Sequence, residues 1–148
     1  MDAIDKKILN IIQKNFPVVA EPFKVVAERL GLAEDEVLER IKDLKAVGII
    51  RRIGAVFDSK KMGFASTLCA AKVPKKYLRK FIEIVNSYPG VTHNYRRRHD
   101  YNVWFTFIAS DEETLKKSLG EIRDKTGVAD IISMTASRTF KIDATFEL

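Results

Sequence analysis

Most of the residues that could do chemistry lie in one segment, residues 91–107. His93 and His99 are the only histidines in the 148-residue chain. The segment also contains three consecutive arginines at 96–98, two of the four tyrosines and the single tryptophan: Tyr95, Tyr101 and Trp104. Histidine can bind iron or transfer a proton, arginine binds carboxylates, and aromatic rings pack on flat ligands. A polycarboxylated iron tetrapyrrole would use all of these groups at once.

The order of these residues places several of them on one surface. Side chains alternate between the faces of a strand, so His93, Tyr95 and Arg97 are expected to project together. His99 joins them if the strand stays regular up to the turn, and the other two arginines point the opposite way. Composition alone leaves two other interpretations open: a solvated basic hairpin with aromatics in the sheet core, and contact with a nucleic-acid backbone.

The elements around this segment indicate a small αβ sheet domain. Hydrophobic spacing predicts, in order, strand, helix, strand, strand, helix and strand at Phe64–Val73, Lys75–Ser87, Val91–Arg98, Tyr101–Ala109, Asp111–Thr126 and Ala129–Ile142. The order βαββαβ is ferredoxin-like. Such a sheet carries its helices on one face, so we expect the open face to form a dimer interface.

The first part of the chain predicts three helices and a wing. Asp2 suits the N-cap of a helix that presents apolar residues at helical spacing. The second helix, the third helix and the two-stranded wing are predicted at Phe23–Leu30, Glu34–Val47 and Ile49–Phe57. This is the winged helix-turn-helix order. The chain is therefore expected to be α+β, with a winged helix-turn-helix domain at 1–58 and a ferredoxin-like domain at 59–148.

Charge and cysteine content limit which binding partners and which cellular compartment are expected. The net charge is +6, but residues 1–58 carry ten basic and ten acidic side chains, so the whole excess belongs to residues 59–148. The third predicted helix has three acids in its first turn, which makes DNA an unattractive partner.

Cys69 is the only cysteine, and we expect it to be a buried thiol in a cytoplasmic protein. No apolar run approaches ~20 residues, so no membrane span is expected.

The segment also resembles a known family. The string His93-Asn94-Tyr95-x-Arg97-x-His99-x-Tyr101-Asn102-Val103-Trp104-Phe105-Thr106 resembles the signature of the siroheme decarboxylases. Arg51-Arg52-Ile-Gly-Ala-Val-Phe57 and Met62-Gly63-Phe64 are similar to the wing and connector of that family. The two halves together resemble the Lrp/AsnC regulators, whose hairpin turn typically reads Gly-Asp-Tyr/Phe-Asp. Here the turn reads His99-Asp100-Tyr101-Asn102, with an imidazole in place of the glycine.

The resemblance implies a reaction and a partner. Siroheme decarboxylases remove the acetate carboxylates at C12 and C18 of siroheme, giving 12,18-didecarboxysiroheme in alternative haem or haem d1 biosynthesis. The family usually works as pairs of related subunits, so a paralogous partner is implied. No cofactor is expected beyond the iron tetrapyrrole itself, because the macrocycle can take up the electron density left by CO2.

The resemblance also suggests roles for individual residues. His93 and His99 are expected to do the acid–base work with assistance from Tyr95, and either histidine is a candidate axial ligand to the substrate iron. A larger set of residues is expected to bind the substrate: Arg97, Arg51, Arg52, Tyr101, Asn102, Trp104 and Arg138. A guanidinium on the reacting carboxylate would oppose loss of CO2, so Arg97 is expected to hold carboxylates that stay.

Two other functions remain open at this point. The first is an Lrp-type DNA-binding regulator whose αβ domain senses a small molecule, such as haem. The second is a non-catalytic subunit that completes the site of its partner.

Overall fold

The computed structural model describes residues 1–142 and 145–148, which form two compact units. The first unit comprises residues 1–55 together with 141–148, and the second comprises residues 56–140. The sequence predicts a boundary after residue 58 and places the last eight residues in the second domain. Instead, the Gln13 side chain bonds to the backbone N and O of Phe146, at 2.9 and 2.6 Å, and so holds the end of the chain against the first helix.

Three helices form the first unit: α1 (Ala3–Lys14), α2 (Pro22–Leu30) and α3 (Glu34–Ala46). The predicted cap of α1 is confirmed. The Asp2 carboxylate accepts hydrogen bonds from the backbone of Ile4 and Asp5, and the Asp5 carboxylate accepts one from Asp2 N. The apolar faces of the helices meet in a core that includes Ile8, Val26 and Val37.

The predicted two-stranded wing is wrong. Residues 49–57, all of which the structure describes, form no strand. Ile50 is buried, but Ile53, Val56 and Phe57 are 42%, 85% and 73% exposed. The apolar side chains that alternate in this segment therefore do not form a buried face, and burial of one face is what specifies how strands pair.

The second unit has the predicted ferredoxin-like order. Its elements are β1 (Ala65–Ala71), α4 (Leu78–Asn86), β2 (Val91–Arg96), β3 (Val103–Ala109), α5 (Glu112–Thr126) and β4 (Ile131–Met134). The strands lie in the order β2-β3-β1-β4, and each neighbouring pair is antiparallel. The last strand is much shorter than predicted, so Arg138 lies beyond it rather than on it.

The two faces of this sheet differ sharply. One face packs under α4 and α5, with Phe81, Phe105 and Ile122 fully buried. The opposite face has no helix of this unit on it. Apolar side chains on it remain partly exposed, among them Leu68, Ile132 and Met134 at about two-fifths each. The sheet is therefore half covered, and the chemistry-bearing strand lies at one edge of it.

Candidate functional site

A depression of about 530 Å³ lies on the open face of the sheet. It is lined by six residues from three adjacent strands: Leu68, His93, Tyr95, Arg97, Trp104 and Thr106. The predicted convergence of His93, Tyr95 and Arg97 is thus confirmed. We call these six residues the open-face site.

Strand register explains why the site combines these side chains. Leu68 lies opposite Thr106, and Thr106 lies opposite His93. Tyr95 lies opposite Trp104 on the same face. Directly paired residues share a face and come within contact distance. The site is therefore a cross-strand cluster, with an apolar floor in mid-sheet and polar groups toward the β2 edge.

A β-bulge near the start of β2 is what turns His93 to this face. The register with β3 shifts between Val91 and His93, so Thr92 is an additional residue on the bulged strand. Val91 packs against the helix-side core, whereas His93, two residues later, lines the open face. Regular alternation would have put both on one face. Because of the bulge, Val91 can lie in the core while His93, two positions later, lies in the site.

His93 is held by two neighbours. Its Nδ1 lies 3.0 Å from the Thr92 hydroxyl oxygen, and its ring stacks on Tyr95 at 6.1 Å between centroids. The Thr92 contact occupies one ring nitrogen. The other, Nε2, is then available to a ligand in the depression.

Arg97 and Trp104 form the second half of the site. The Arg97 guanidinium carbon lies 5.7 Å from the centroid of the Trp104 ring, a cation–π arrangement. The indole Nε1–H donates to the Tyr101 carbonyl at 2.7 Å, which fixes the plane of the ring. A fixed aromatic plane beside an exposed guanidinium is suited to a flat, carboxylated molecule.

His99 lies outside the open-face site. Strand β2 ends at Arg96, and His99 lies in the turn, where it stacks on Tyr101 at 6.2 Å. Its Nδ1 accepts a hydrogen bond from the backbone N–H of Tyr101 at 3.1 Å. The condition for His99 to join the row, a regular strand up to the turn, is therefore not met.

Tyr101 and Asn102 anchor this turn to its own unit. The Tyr101 hydroxyl donates to Asp130 at 3.0 Å, and this hydrogen bond raises the pKa of the hydroxyl above its usual value. The Asn102 side chain accepts from Val73 N and donates to Val73 O, both at 2.9 Å. These contacts position the hairpin. Direct contact of either residue with substrate stays a prediction.

Three further predicted residues have other surroundings. Arg51 and Arg52 are exposed residues of the first unit, in the segment without strands. The Arg138 guanidinium carbon lies 5.3 Å from the centroid of the Phe140 ring. A carboxylate-binding role for these arginines stays a prediction.

Sequence reasoning missed three residues around the site: Leu68, Thr106 and Thr92. Leu68 is an apolar residue with a partly exposed side chain, and its partner Thr106 lies between it and His93. Strand register, which spacing does not supply, was needed to find both. Thr92 lies next to the site only because of the bulge, and the sequence offers no clear signal for that bulge.

Cys69 has no part in this site. It is fully buried on the helix side of the sheet, and burial raises the pKa of its thiol to about 12. The prediction of a buried core thiol is confirmed. Within the described residues, no three His, Cys, Asp or Glu side chains are grouped to hold a metal ion. No helix in that part of the chain has the length and apolarity to cross a membrane.

Two family models match the two units. A model described as a siroheme decarboxylase NirDL-like HTH domain matches residues 5–51. A model described as an AsnC-like ligand binding domain matches residues 61–141, which is more than half of the chain.

Relatives and solved structures agree with these matches. The siroheme decarboxylase alpha subunit of Desulfovibrio desulfuricans is 49% identical over the whole chain, which covers 85% of that protein. The siroheme decarboxylase NirD subunit of Pseudomonas aeruginosa is 39% identical over the whole chain, which covers 97% of that protein. A crystal structure of the siroheme decarboxylase NirDL with an iron-uroporphyrin III analogue matches with a TM-score of 0.71 and 37% identity, over 93% of this chain and 47% of that one. The chain belongs to the siroheme decarboxylase family.

Proposed function

We propose that this chain is a subunit of an enzyme that decarboxylates siroheme at the C12 and C18 acetates, giving 12,18-didecarboxysiroheme in alternative haem or haem d1 biosynthesis. The observation that carries the proposal is the open-face site, where imidazole, phenol, guanidinium and indole groups converge on one depression. A siroheme decarboxylase relative has been crystallised with an iron-uroporphyrin III analogue, a ligand of the same chemical class.

The reaction belongs to the carboxy-lyase class and needs no oxidant. Each acetate loses its carboxylate as CO2, and the electron pair of the broken C–C bond stays on the CH2 carbon. The conjugated macrocycle delocalises that pair until a proton converts the CH2 into a methyl group. Two carboxylates leave and two protons enter, so the electrons balance without a further cofactor. The protein must hold the ring, dehydrate the leaving carboxylate and deliver protons.

The site residues divide these tasks. His93 is suited to proton transfer or to iron ligation through Nε2, and Tyr95 stacks beside it. Arg97 is exposed next to Trp104 and is suited to a carboxylate that the reaction retains. His99, on its turn, is a second proton donor, while Arg51, Arg52 and Arg138 are further carboxylate binders.

A paralogous partner subunit completes the enzyme in this proposal. One relative is named an alpha subunit, and this chain spans only 47% of the NirDL chain, which leaves room there for a second unit of similar size. The half-exposed apolar side chains of the open face suit a protein partner. With such a partner opposite it, a shallow depression becomes an enclosed site that excludes water.

The DNA-binding alternative has less support. In α3 the first turn contains Glu34, Asp35 and Glu36, which would face phosphates in a groove-bound helix. Arg40 of the same helix is already paired with Asp2, Asp5 and Glu36, at 2.8, 2.9 and 3.1 Å. A cationic group committed to three carboxylates is poorly available to a phosphate.

Anaerobic incubation with siroheme, followed by mass analysis of the product, tests the proposal. The chain together with its paralogue is expected to yield the didecarboxylated product. Product from the mixture but not from the chain alone supports an incomplete site, whereas equal product from the paralogue alone makes this chain a scaffold. Absence of turnover together with salt-dependent retention on DNA would favour the regulator. A cytoplasmic location stays a prediction.

A further inference from the structure

We infer that Thr92 is a positioning residue, which orients the His93 imidazole so that Nε2 serves the substrate. This inference deepens the proposed function and rests on it. It goes beyond the six lining residues, because Thr92 is not among them.

The geometry behind the inference is local and specific. Neighbouring residues of a regular strand point to opposite faces and do not bond through their side chains. The bulge between Val91 and His93 removes that restriction, and the Thr92 hydroxyl lies 3.0 Å from His93 Nδ1. A bulge next to a functional side chain is a recurrent way of re-aiming it.

The backbone before the bulge is constrained as well. A Cβ placed on Gly90 would overlap the carbonyl oxygen of Ile108 and the ring of Phe107. This close approach accompanies a hydrogen bond from Ile108 N to Gly90 O at 2.8 Å. The packing of Gly90 therefore fixes the backbone just before the bulge, and with it the position of Thr92.

A hydroxyl is well matched to a histidine that changes its protonation. Threonine has one O–H donor and two acceptor lone pairs. It can accept from Nδ1–H when Nε2 is a base or an iron ligand, and donate to Nδ1 when Nε2 carries the proton. Because it accepts from Nδ1–H in both the neutral ring and the imidazolium, Thr92 can keep the ring in one orientation while Nε2 gains or loses a proton, which a donor-only partner cannot do.

Kinetics of the intact two-subunit enzyme test this role. Thr92→Val keeps the β-branched shape and removes the hydroxyl, whereas Thr92→Ser keeps the hydroxyl. Loss of one hydrogen bond to the reacting group is expected to lower kcat with siroheme roughly five- to tenfold and leave KM within about twofold. Thr92→Ser should restore most of kcat. Thr135→Val, the same change at an exposed threonine after β4, serves as the matched control.

Nitrogen NMR of the imidazoles provides a readout that does not depend on activity. The chain has two histidines, so two imidazoles are seen and His93→Gln assigns them. Thr92→Val should change the Nδ1 shift of His93 and leave His99 unchanged, and Thr92→Ser should match the wild type.

Each outcome bears on one of the two claims. Wild-type kcat and an unchanged His93 spectrum in Thr92→Val would overturn the role of Thr92 while leaving the decarboxylase intact. Equal impairment of the serine and valine variants would overturn it too, because the methyl rather than the hydroxyl would then matter. A wild-type complex that does not convert siroheme overturns the proposed function and with it this inference.

Discussion

His93 and His99 lie six residues apart, yet their surroundings differ in kind. His93 is on a strand, lines the open-face site and has a hydroxyl beside Nδ1. His99 is in a turn and has the backbone N–H of Tyr101 beside Nδ1. Residue type alone made the two histidines equivalent candidates, and the local backbone separates them.

The two Nδ1 partners favour different chemistry at Nε2. A backbone N–H only donates, so the His99 bond requires an unprotonated Nδ1 and places the proton of the neutral ring on Nε2. A hydroxyl both donates and accepts, so His93 keeps its bond with the proton on either nitrogen. His99 can accordingly donate a hydrogen bond from Nε2, and it can transfer a proton only as the imidazolium, which gives up the bond from Tyr101. His93 can exchange a proton or bind iron while it keeps its bond to Thr92.

The largest expected effect comes from His93→Gln. Removal of a general acid–base is expected to lower kcat for siroheme roughly 10²–10⁴-fold. The exposed position should leave the melting temperature nearly unchanged, and both quantities are measured on the same preparation. Full activity in this variant would contradict the assignment of His93 as the stronger acid–base candidate of the two histidines.

His99→Ala is expected to have a smaller but clear effect. A loss on the order of 10²-fold in kcat fits a proton donor that lies outside the depression. Turnover should fall far more than the melting temperature. If melting falls while turnover per folded enzyme persists, the imidazole only supports the turn.

Asn102→Ala tests whether the turn is held from the side of β1. The variant leaves the N–H and C=O of buried Val73 without their partner, so the free energy of unfolding should fall by about 1–3 kcal/mol. Asn94→Ala is the matched control, because the Asn94 side chain donates to the exposed Asn86 side chain rather than to a buried backbone group. Denaturant unfolding of both variants gives the comparison, and equal losses would contradict the anchoring role.

Trp104→Phe tests the aromatic plane next to Arg97. The smaller ring loses the bond to the Tyr101 carbonyl and part of the contact with Arg97. Siroheme affinity should weaken about two- to fivefold, as expected for an exposed cation–π contact. Anaerobic titration followed at the Soret band measures it, and unchanged affinity would place the ligand away from this ring.

Tyr101→Phe should have the smallest effect, because the ring and the backbone contacts remain. The bond to Asp130 raises the pKa of the hydroxyl, so the stabilisation is present below the ordinary tyrosine pKa of about 10 and is lost as pH rises through the raised value. Wild type and variant should therefore differ in melting temperature at neutral pH and converge at high pH. A tenfold loss of turnover at pH 7 would instead give the hydroxyl a role at the substrate.

Much of the fold follows from local sequence patterns. The cap at Asp2, the three helices of the first unit and the βαββαβ order all depend on short-range spacing, and the structure confirms them. The wing failed because alternation predicts a strand only where one face is buried. The extension of the last strand to Ile142 failed because β4 ends at Met134.

The candidate site was predictable only in part. Alternation was enough to group His93, Tyr95 and Arg97, because they lie on one side of the bulge. Leu68 and Thr106 required the order and register of three strands, which are long-range properties. His99 could not be placed, because the strand ends before the turn and the hydrogen bond from Tyr101 fixes the ring locally.

A crystal structure of the complex with siroheme, grown anaerobically with the paralogous subunit, tests the central claim most directly. We expect the macrocycle to lie over Leu68 and Trp104, with His93 Nε2 toward the iron or a reacting acetate and Arg97 on a retained carboxylate. A macrocycle bound elsewhere, with the open face filled by partner side chains, would contradict the account.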